Sequence, residues 1–405
     1  MDKNTIYFIS LLSAFINRQD PQQEGELIWE KIYKLSRIHS VSGILYLMAQ
    51  KLRNDYQPDI VLLNKMKRDY NSTLVRSVRQ EAEIKLIIEK LNAAKICHAF
   101  MKGYVIKNYY PVKEMRTMGD IDFLIKPEDR EKAHQLMLEI GYEAGETNEG
   151  GHWDYTLGSV HIEIHTQVMY RNISNGLDYV SYFSDIWSHM KQKPNDYTYE
   201  LTVEYHFLFL LVHMAKHFDD CGCGIRMIMD ISMFLIYFQD RLDWDYIKGE
   251  LKRLNLEAFS KNIFVLCSQW FNVLFPEKIG RLDESFYEDL SSYILSAGTF
   301  GFYQRNIHAS VLRKEYKHEE GASMVPAVLR AYRKICFPSY ENMSKVKRYS
   351  FLRNRPFLLP AAWIYRAFYS ILVKDKSSLG MLFNLALESK EDVKGQYEVI
   401  SKLGL

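Results

Sequence analysis

The chain reads as an α+β protein in which a small mixed-sheet core is embedded between N-terminal and C-terminal helical regions. Three observations predict this. Apolar residues recur at helical spacing up to about residue 94. Between about 95 and 170 the pattern shifts to short runs that alternate with period two. From Tyr199 helical spacing returns and holds to the C-terminus. The predicted divisions are therefore 1–94, helical; 95–170, an α/β core; and 171–405, helical.

The first helices rest on Leu27, Ile28, Ile32 and Leu35, which recur at three- and four-residue steps. A long amphipathic stretch follows from about Pro58 to Ala94. In it Leu62, Leu63, Met66, Tyr70, Leu74 and Val75 share one broad face, continued by Leu86, Ile87 and Leu91. At Lys95 the pattern changes. Ile96 to Met101 is a short apolar run, ended by Lys102 and Gly103. A short helix and a polar loop over Pro111 to Thr117 come next, then a second short strand, Ile121 to Ile125. Pro127 suits the first turn of a helix, Glu128 and Asp129 suit its positive end, and Gly141 stops it. Trp153 to Leu157 and Val160 to Thr166 read as two strands, with Gly158 and Ser159 as their two-residue turn.

Composition narrows the classes of function. A hydrophobic fraction of 47% and a charged fraction of 25% suit a packed globular chain and argue against disorder. The net charge of +2 supplies no global field toward nucleic acid, and no nucleic-acid partner is expected. The apolar run from Ile6 to Ile16 is interrupted by Ser10 and Ser13 and is too short to span a bilayer. Five cysteines in 405 residues do not form a disulfide framework, and the expected compartment is cytoplasmic.

The chemistry concentrates around Gly119, Asp120, Ile121 and Asp122. Residues two apart on a strand face the same side, roughly 6.6 Å apart along the backbone. Asp120 and Asp122 therefore project together while Ile121 and Phe123 turn into a core. Two such carboxylates can hold a hard divalent cation that also keeps phosphate oxygens in its shell. The run Val160 to His165 alternates strictly, placing His161, Glu163 and His165 on one face and Val160, Ile162 and Ile164 on the other. Glu163 is the candidate third ligand, and His165 a candidate base or substrate contact. The competing reading is a solvated edge strand with Glu163 in a surface ion pair.

These residues resemble the nucleotidyltransferase superfamily that includes DNA polymerase beta, and most closely its bacterial "uncharacterised nucleotidyltransferase" family. The resemblance rests on Lys102 and Gly103 as the glycine turn, and on Tyr109, Tyr110 and Pro111. Arg116, then Asp120 and Asp122, and lastly Glu163 and His165 complete it. Its specific motifs cover about 95–170. It implies a mixed sheet flanked by helices, with large helical additions. It also implies Mg²⁺ or Mn²⁺ held by Asp120, Asp122 and Glu163, a nucleoside triphosphate as donor, and a hydroxyl acceptor it leaves open. Lys102, Gly103, Arg116, Gly119 and His165 would then face the nucleotide, Lys102 and Arg116 neutralising phosphate charge. Where the superfamily carries two small residues at the turn, this chain has one glycine and a lysine. The alternative is a catalytically inactive nucleotide-binding or protein-interaction module on the same fold.

Three further features stand outside the motif. His213, His217, Cys221 and Cys223 have a spacing that allows zinc, but a hydrogen-bonded core role for His213 is favoured, since it lies among Phe207, Leu208, Leu210, Leu211 and Val212. Arg226 and Asp230, one turn apart, are expected to pair along a helix face, or else Arg226 meets nucleotide. Residues 345–376 carry eight basic side chains against one acid, Asp375, around the apolar run Phe357 to Val373. A buried helix is the favoured reading there; peripheral membrane contact is the alternative.

Overall fold

A computed structural model describes residues 1–145, 152–170, 172–173, 175–299, 301, 311–316, 323–344, 347–372 and 389–405. The fold is α+β. Four helices lead: α1 (Lys3–Ile16), α2 (Trp29–Ile38), α3 (Ser42–Ala49) and the long α4 (Ile60–Ala93). Asp59 caps α4 by accepting from the Leu62 amide at 2.9 Å. Val75, expected on the apolar face of α4, is instead 69% exposed, because it sits one position round from Leu74, which is partly buried.

The sheet holds the four expected strands and one more, Glu143–Ala144, that the sequence pattern did not announce. Its strands are β1 (His98–Phe100), β2 (Ile121–Ile125), β3 (Glu143–Ala144), β4 (His152–Leu157) and β5 (Val160–His165), in the order β1-β2-β5-β4-β3. Between β1 and β2 lies the short helix α5 (Gly103–Ile106), and between β2 and β3 lies α6 (Arg130–Glu139). The sheet is mixed: β2 runs parallel to β5, and the other neighbours are antiparallel. Ile121, Phe123, Val160, Ile162 and Ile164 are buried in one apolar cluster with Ile84, Ile87 and Leu91 of α4 and Met137 of α6. That buried layer fixes the register, since a one-residue slip would turn every polar side chain of β2 and β5 inward.

After α7 (Tyr179–Tyr182), a further hairpin, β6 (Met190–Gln192) and β7 (Tyr199–Leu201), precedes α8 (Val203–Asp220). Tyr199 is therefore strand rather than the start of the helical region. Its neighbour Thr198 bridges to His98, so the segment extends the edge of β1. Helices α8, α9 (Ile225–Phe238), α10 (Trp244–Arg253), α11 (Glu257–Phe271) and α12 (Glu284–Ser296) share a second, larger apolar cluster with α1, α2 and α3. No described helix is long and apolar enough to cross a membrane.

The helix Leu359–Leu372 is not the buried helix expected there. Phe357, Ile364 and Phe368 are 74%, 59% and 63% exposed, while Ala362 is buried and Leu358, Leu359 and Trp363 pack partly against its cluster. Residues 345–346 and 373–376 of that basic stretch lie outside the described residues.

Candidate active site

The parallel pairing of β2 with β5 creates the site. In its register Asp122 lies opposite Glu163, so two carboxylates 41 positions apart in sequence become lateral neighbours. Asp120 sits one residue before β2 begins. The carboxylates open onto a cleft of about 310 Å³. Its sheet wall carries Lys102, Gly103, Gly119, Asp120, Asp122 and Glu163; its helical wall carries His213, His217, Arg226 and Asp230 of α8 and α9.

Asp122 is the buried centre of the sheet wall. Lys102 Nζ donates to its Oδ1 at 2.6 Å, and His165 Nε2 lies 2.9 Å from the same oxygen. Burial works against ionising Asp122, but Lys102 and His165 overcome it and hold the carboxyl below the usual carboxylate range. Glu163 is held low chiefly by its hydrogen bond to His165, whose Nε2 is 3.3 Å from Oε2. Asp120 has the opposite character. It is exposed at the mouth, yet enough protein surrounds it that its carboxyl is pushed up to about 6, first by burial and then by the charges of Asp122 and Glu163.

His165 is buried, and its second ring nitrogen meets the Tyr170 hydroxyl at 2.9 Å. Burial disfavours its charge, but its bonds to Asp122 and Glu163 raise its pKa all the same. The structure thus places it between the two carboxylates. Asp122, Glu163 and His165 each offer one ligand atom, all within 4.8 Å of one another. A second such trio, His152, Asp154 and Glu163, shares Glu163 across β4 and β5. The alternation of Trp153 and Tyr155 could have flagged Asp154, since it sends that residue to the polar face.

The turn before α5 explains the single glycine. Lys102 adopts φ 50° and ψ −123°, a left-handed conformation that suits glycine. A Cβ at Gly103 would collide with the guanidinium of Arg116, which Asp230 holds in place. Arg116 is not free. Its Nε and Nη2 donate to Asp230 at 3.1 and 2.6 Å, a two-pronged pair that Tyr110 extends by donating to Oδ1 at 2.7 Å.

This corrects the expected Arg226–Asp230 pair. Asp230 is taken by Arg116 and Tyr110, and Arg226 instead donates to the Thr117 carbonyl and hydroxyl at 3.0 and 2.8 Å. These bonds strap the loop before β2 to α9. His213, expected in the core, is half-buried at the cleft wall, with its Nε2 3.2 Å from that of His217. Burial first, then each ring's neighbours, His217 beside His213 and Lys216 beside His217, hold both imidazoles neutral, His217 down at about 4. Cys221 Sγ is 3.8 Å from His217 Nδ1, while Cys223 points its thiol at the Gly224 carbonyl. Among the described residues, these four do not form a cluster close enough to share an ion.

A family model described as "Uncharacterised nucleotidyltransferase" matches residues 25–272. That span holds both walls of the cleft and the helices from α2 to α11. No curated protein and no solved structure matches the chain.

Proposed function

The chain belongs to the uncharacterised nucleotidyltransferase family, and on that premise we propose a Mg²⁺- or Mn²⁺-dependent enzyme that moves a nucleoside monophosphate from a triphosphate to a hydroxyl acceptor. The observation that supports it most is the register of Asp122 against Glu163, with Asp120 beside them at the cleft mouth. Three carboxylates facing one space are an oxygen-rich donor set, which fits a hard divalent ion. Asp120, Asp122 and Glu163 would hold it, and His165 would keep Asp122 and Glu163 aimed. Bound there, the ion would polarise the α-phosphate and neutralise the departing pyrophosphate.

The remaining roles fall to side chains of the chain itself. The oxygen of the acceptor hydroxyl bonds to the α-phosphorus and gives up its proton to solvent, as the bond to the β-phosphate breaks and pyrophosphate leaves. Lys102, beside Asp122 at the cleft floor, is the cation placed to follow phosphate charge. Arg116, committed to Asp230, fixes the wall under Gly103. Calorimetric titration with the four common triphosphates, with and without Mg²⁺, tests the reading. Metal-dependent binding that Asp122→Asn removes supports it; equal binding by the variant overturns it.

A second reading is a nucleotide-binding or interaction module without turnover. It is favoured by Lys102 Nζ, which already occupies Asp122 at 2.6 Å from a glycine-like backbone position. Pyrophosphate release on incubation with triphosphate and Mg²⁺ separates the two.

A further inference from the structure

Beyond the carboxylates the cleft has a neighbour. A second pocket of about 260 Å³ adjoins it, and Gly119 and Arg226 line both. This pocket is walled by the N-terminal helices, which carry none of the motif residues. Arg37, Arg76 and Arg226 face it with the hydroxyls of Ser72 and Thr73. The one carboxylate on its wall, Asp69, accepts from the Tyr33 hydroxyl at 2.8 Å and lies 3.9 Å from Arg37.

Arg226 is the unusual member. Arg226 is half-buried, and a charge largely withdrawn from water is ordinarily paired or neutralised. The nearby Arg116 obeys this rule through Asp230. Arg226 has no carboxylate in ion-pair contact among the described residues; it donates from Nη1 to Thr117 only, and its buried Nε has no partner. Burial first, then the charge of Arg116, brings its pKa down to about 10. It also stands in the first turn of α9, where the helix end favours negative charge.

We infer that this second pocket is an oxyanion subsite that takes a phosphate group, with Arg226 at the doorway between it and the carboxylate cleft. Guanidinium forks and hydroxyl donors match phosphate oxygens. Two sources of that phosphate are chemically equivalent here: the triphosphate's own tail, or a phosphate carried by the acceptor. The inference rests on the nucleotidyl-transfer reading for its purpose, and its binding test needs no turnover.

The probe is inorganic pyrophosphate, titrated into the full chain by calorimetry with chelator present and ionic strength held constant. Binding should weaken by about tenfold or more in Arg226→Gln, less in Arg76→Ala, and least in Arg226→Lys. Asp122→Asn should bind pyrophosphate no more weakly than wild type, because the carboxylates oppose the anion. Thermal melts of each variant check that the fold persists. If triphosphate then competes with pyrophosphate, the subsite serves the nucleotide's tail; if both bind together, it serves the acceptor. Wild-type protein that ignores pyrophosphate, or a folded Arg226→Gln that binds it equally, overturns the subsite. Failure of Mg²⁺-dependent nucleotide binding with pyrophosphate binding intact would instead sink the transfer reading alone.

Discussion

The two walls of the cleft solve the same electrostatic problem in opposite ways. On the sheet wall, negative charges are gathered: Asp122 and Glu163 face each other across β2 and β5, and His165 gains proton affinity between them. On the helical wall, the basic groups lack a carboxylate in contact, since Asp230 is taken by Arg116 and Tyr110. His213 and His217 lose proton affinity, and Arg226 has only neutral oxygens. One residue type, histidine, is therefore pushed in opposite directions within a single cleft. Burial alone does not set these groups, for it opposes the charge of all three rings and yet His165 is the more easily charged. What decides is whether a carboxylate is in contact. A cleft whose carboxylates gather on the sheet wall while a guanidinium without a carboxylate stands on the helical wall suits a ligand that brings both a metal cation and phosphate.

The sharpest way to break this comparison is to remove the anionic wall. Asp120→Asn with Asp122→Asn should lower metal-dependent triphosphate affinity by on the order of 10³-fold, the scale of losing an electrostatic centre in a water-poor site. The fold should survive, since the strand's apolar anchors Ile121 and Phe123 are untouched. Calorimetry in Mg²⁺ checks the first part and a thermal melt the second. Unchanged affinity would mean that the sheet wall is not where the ligand binds.

Next in size is the contrast between the two half-buried arginines. Arg116→Gln leaves Asp230 buried with only Tyr110 bonded to it. Breaking such a pair by removing one partner costs about 3–5 kcal/mol. Arg226→Gln removes a cation that has no carboxylate in contact, and should shift stability by about 1 kcal/mol at most. Urea denaturation of both variants measures the gap. Equal losses would show that Arg226 has an ion-pair role that the geometry does not display.

Sequence reasoning reached the sheet wall and largely missed the helical one, for a physical reason. A strand's period of two is local, so Ile121 to Ile125 and Val160 to His165 announce their faces within five or six residues. The register that sets Asp122 against Glu163 is not local; it comes from burying Ile121 and Ile162 in one layer. Helix spacing suggested that Arg226 would pair with Asp230 four residues on. A partner 114 residues away, Arg116, took Asp230 because its fork fits both carboxylate oxygens. His165 was legible as a polar-face residue, but its position between Asp122 and Glu163 depended on that same register. The second pocket could not be read at all, since its walls come from α2, α3, α4, the loop before β2 and the start of α9.

The histidines offer a subtler test. His217 is held near 4 in the folded protein and returns to about 6.5 on unfolding. As pH falls through that window the unfolded chain takes the proton first, so stability should drop as pH goes from 7 to 5. The loss from this ring is up to about 2 kcal/mol over that range. His165 has the reverse sign: its raised pKa favours the fold below about 6.5, and that contribution fades as pH climbs through the folded value. Urea denaturation at pH 7 and pH 5 should therefore show a smaller acid loss in His217→Gln than in wild type. Parallel losses in the two proteins would place His217 in a more solvated setting than the helical wall provides.

The smallest effect isolates the turn that brings Lys102 to Asp122. Two terms act at this residue. Its backbone, at φ 50° and ψ −123°, is strained for any side chain but glycine's, and such strain is worth of order 1–3 kcal/mol. Its ammonium offsets that strain through the 2.6 Å bond to Asp122. Comparing Lys102→Gly with wild type mixes the two terms. Comparing Lys102→Gly with Lys102→Ala separates them, because both lose the ammonium and only alanine keeps the strain. The glycine variant should be the more stable by about 1 kcal/mol, read from urea midpoints at equal slopes. Both variants should bind triphosphate more weakly than wild type, since each removes the cation proposed to follow phosphate charge. If alanine and glycine prove equally stable, the turn relaxes once the lysine is gone, and it is the ion pair that pulls the backbone into its left-handed shape. The anionic wall would then be shaping its own entrance, as Asp230 of the helical wall holds Arg116 of the loop before β2.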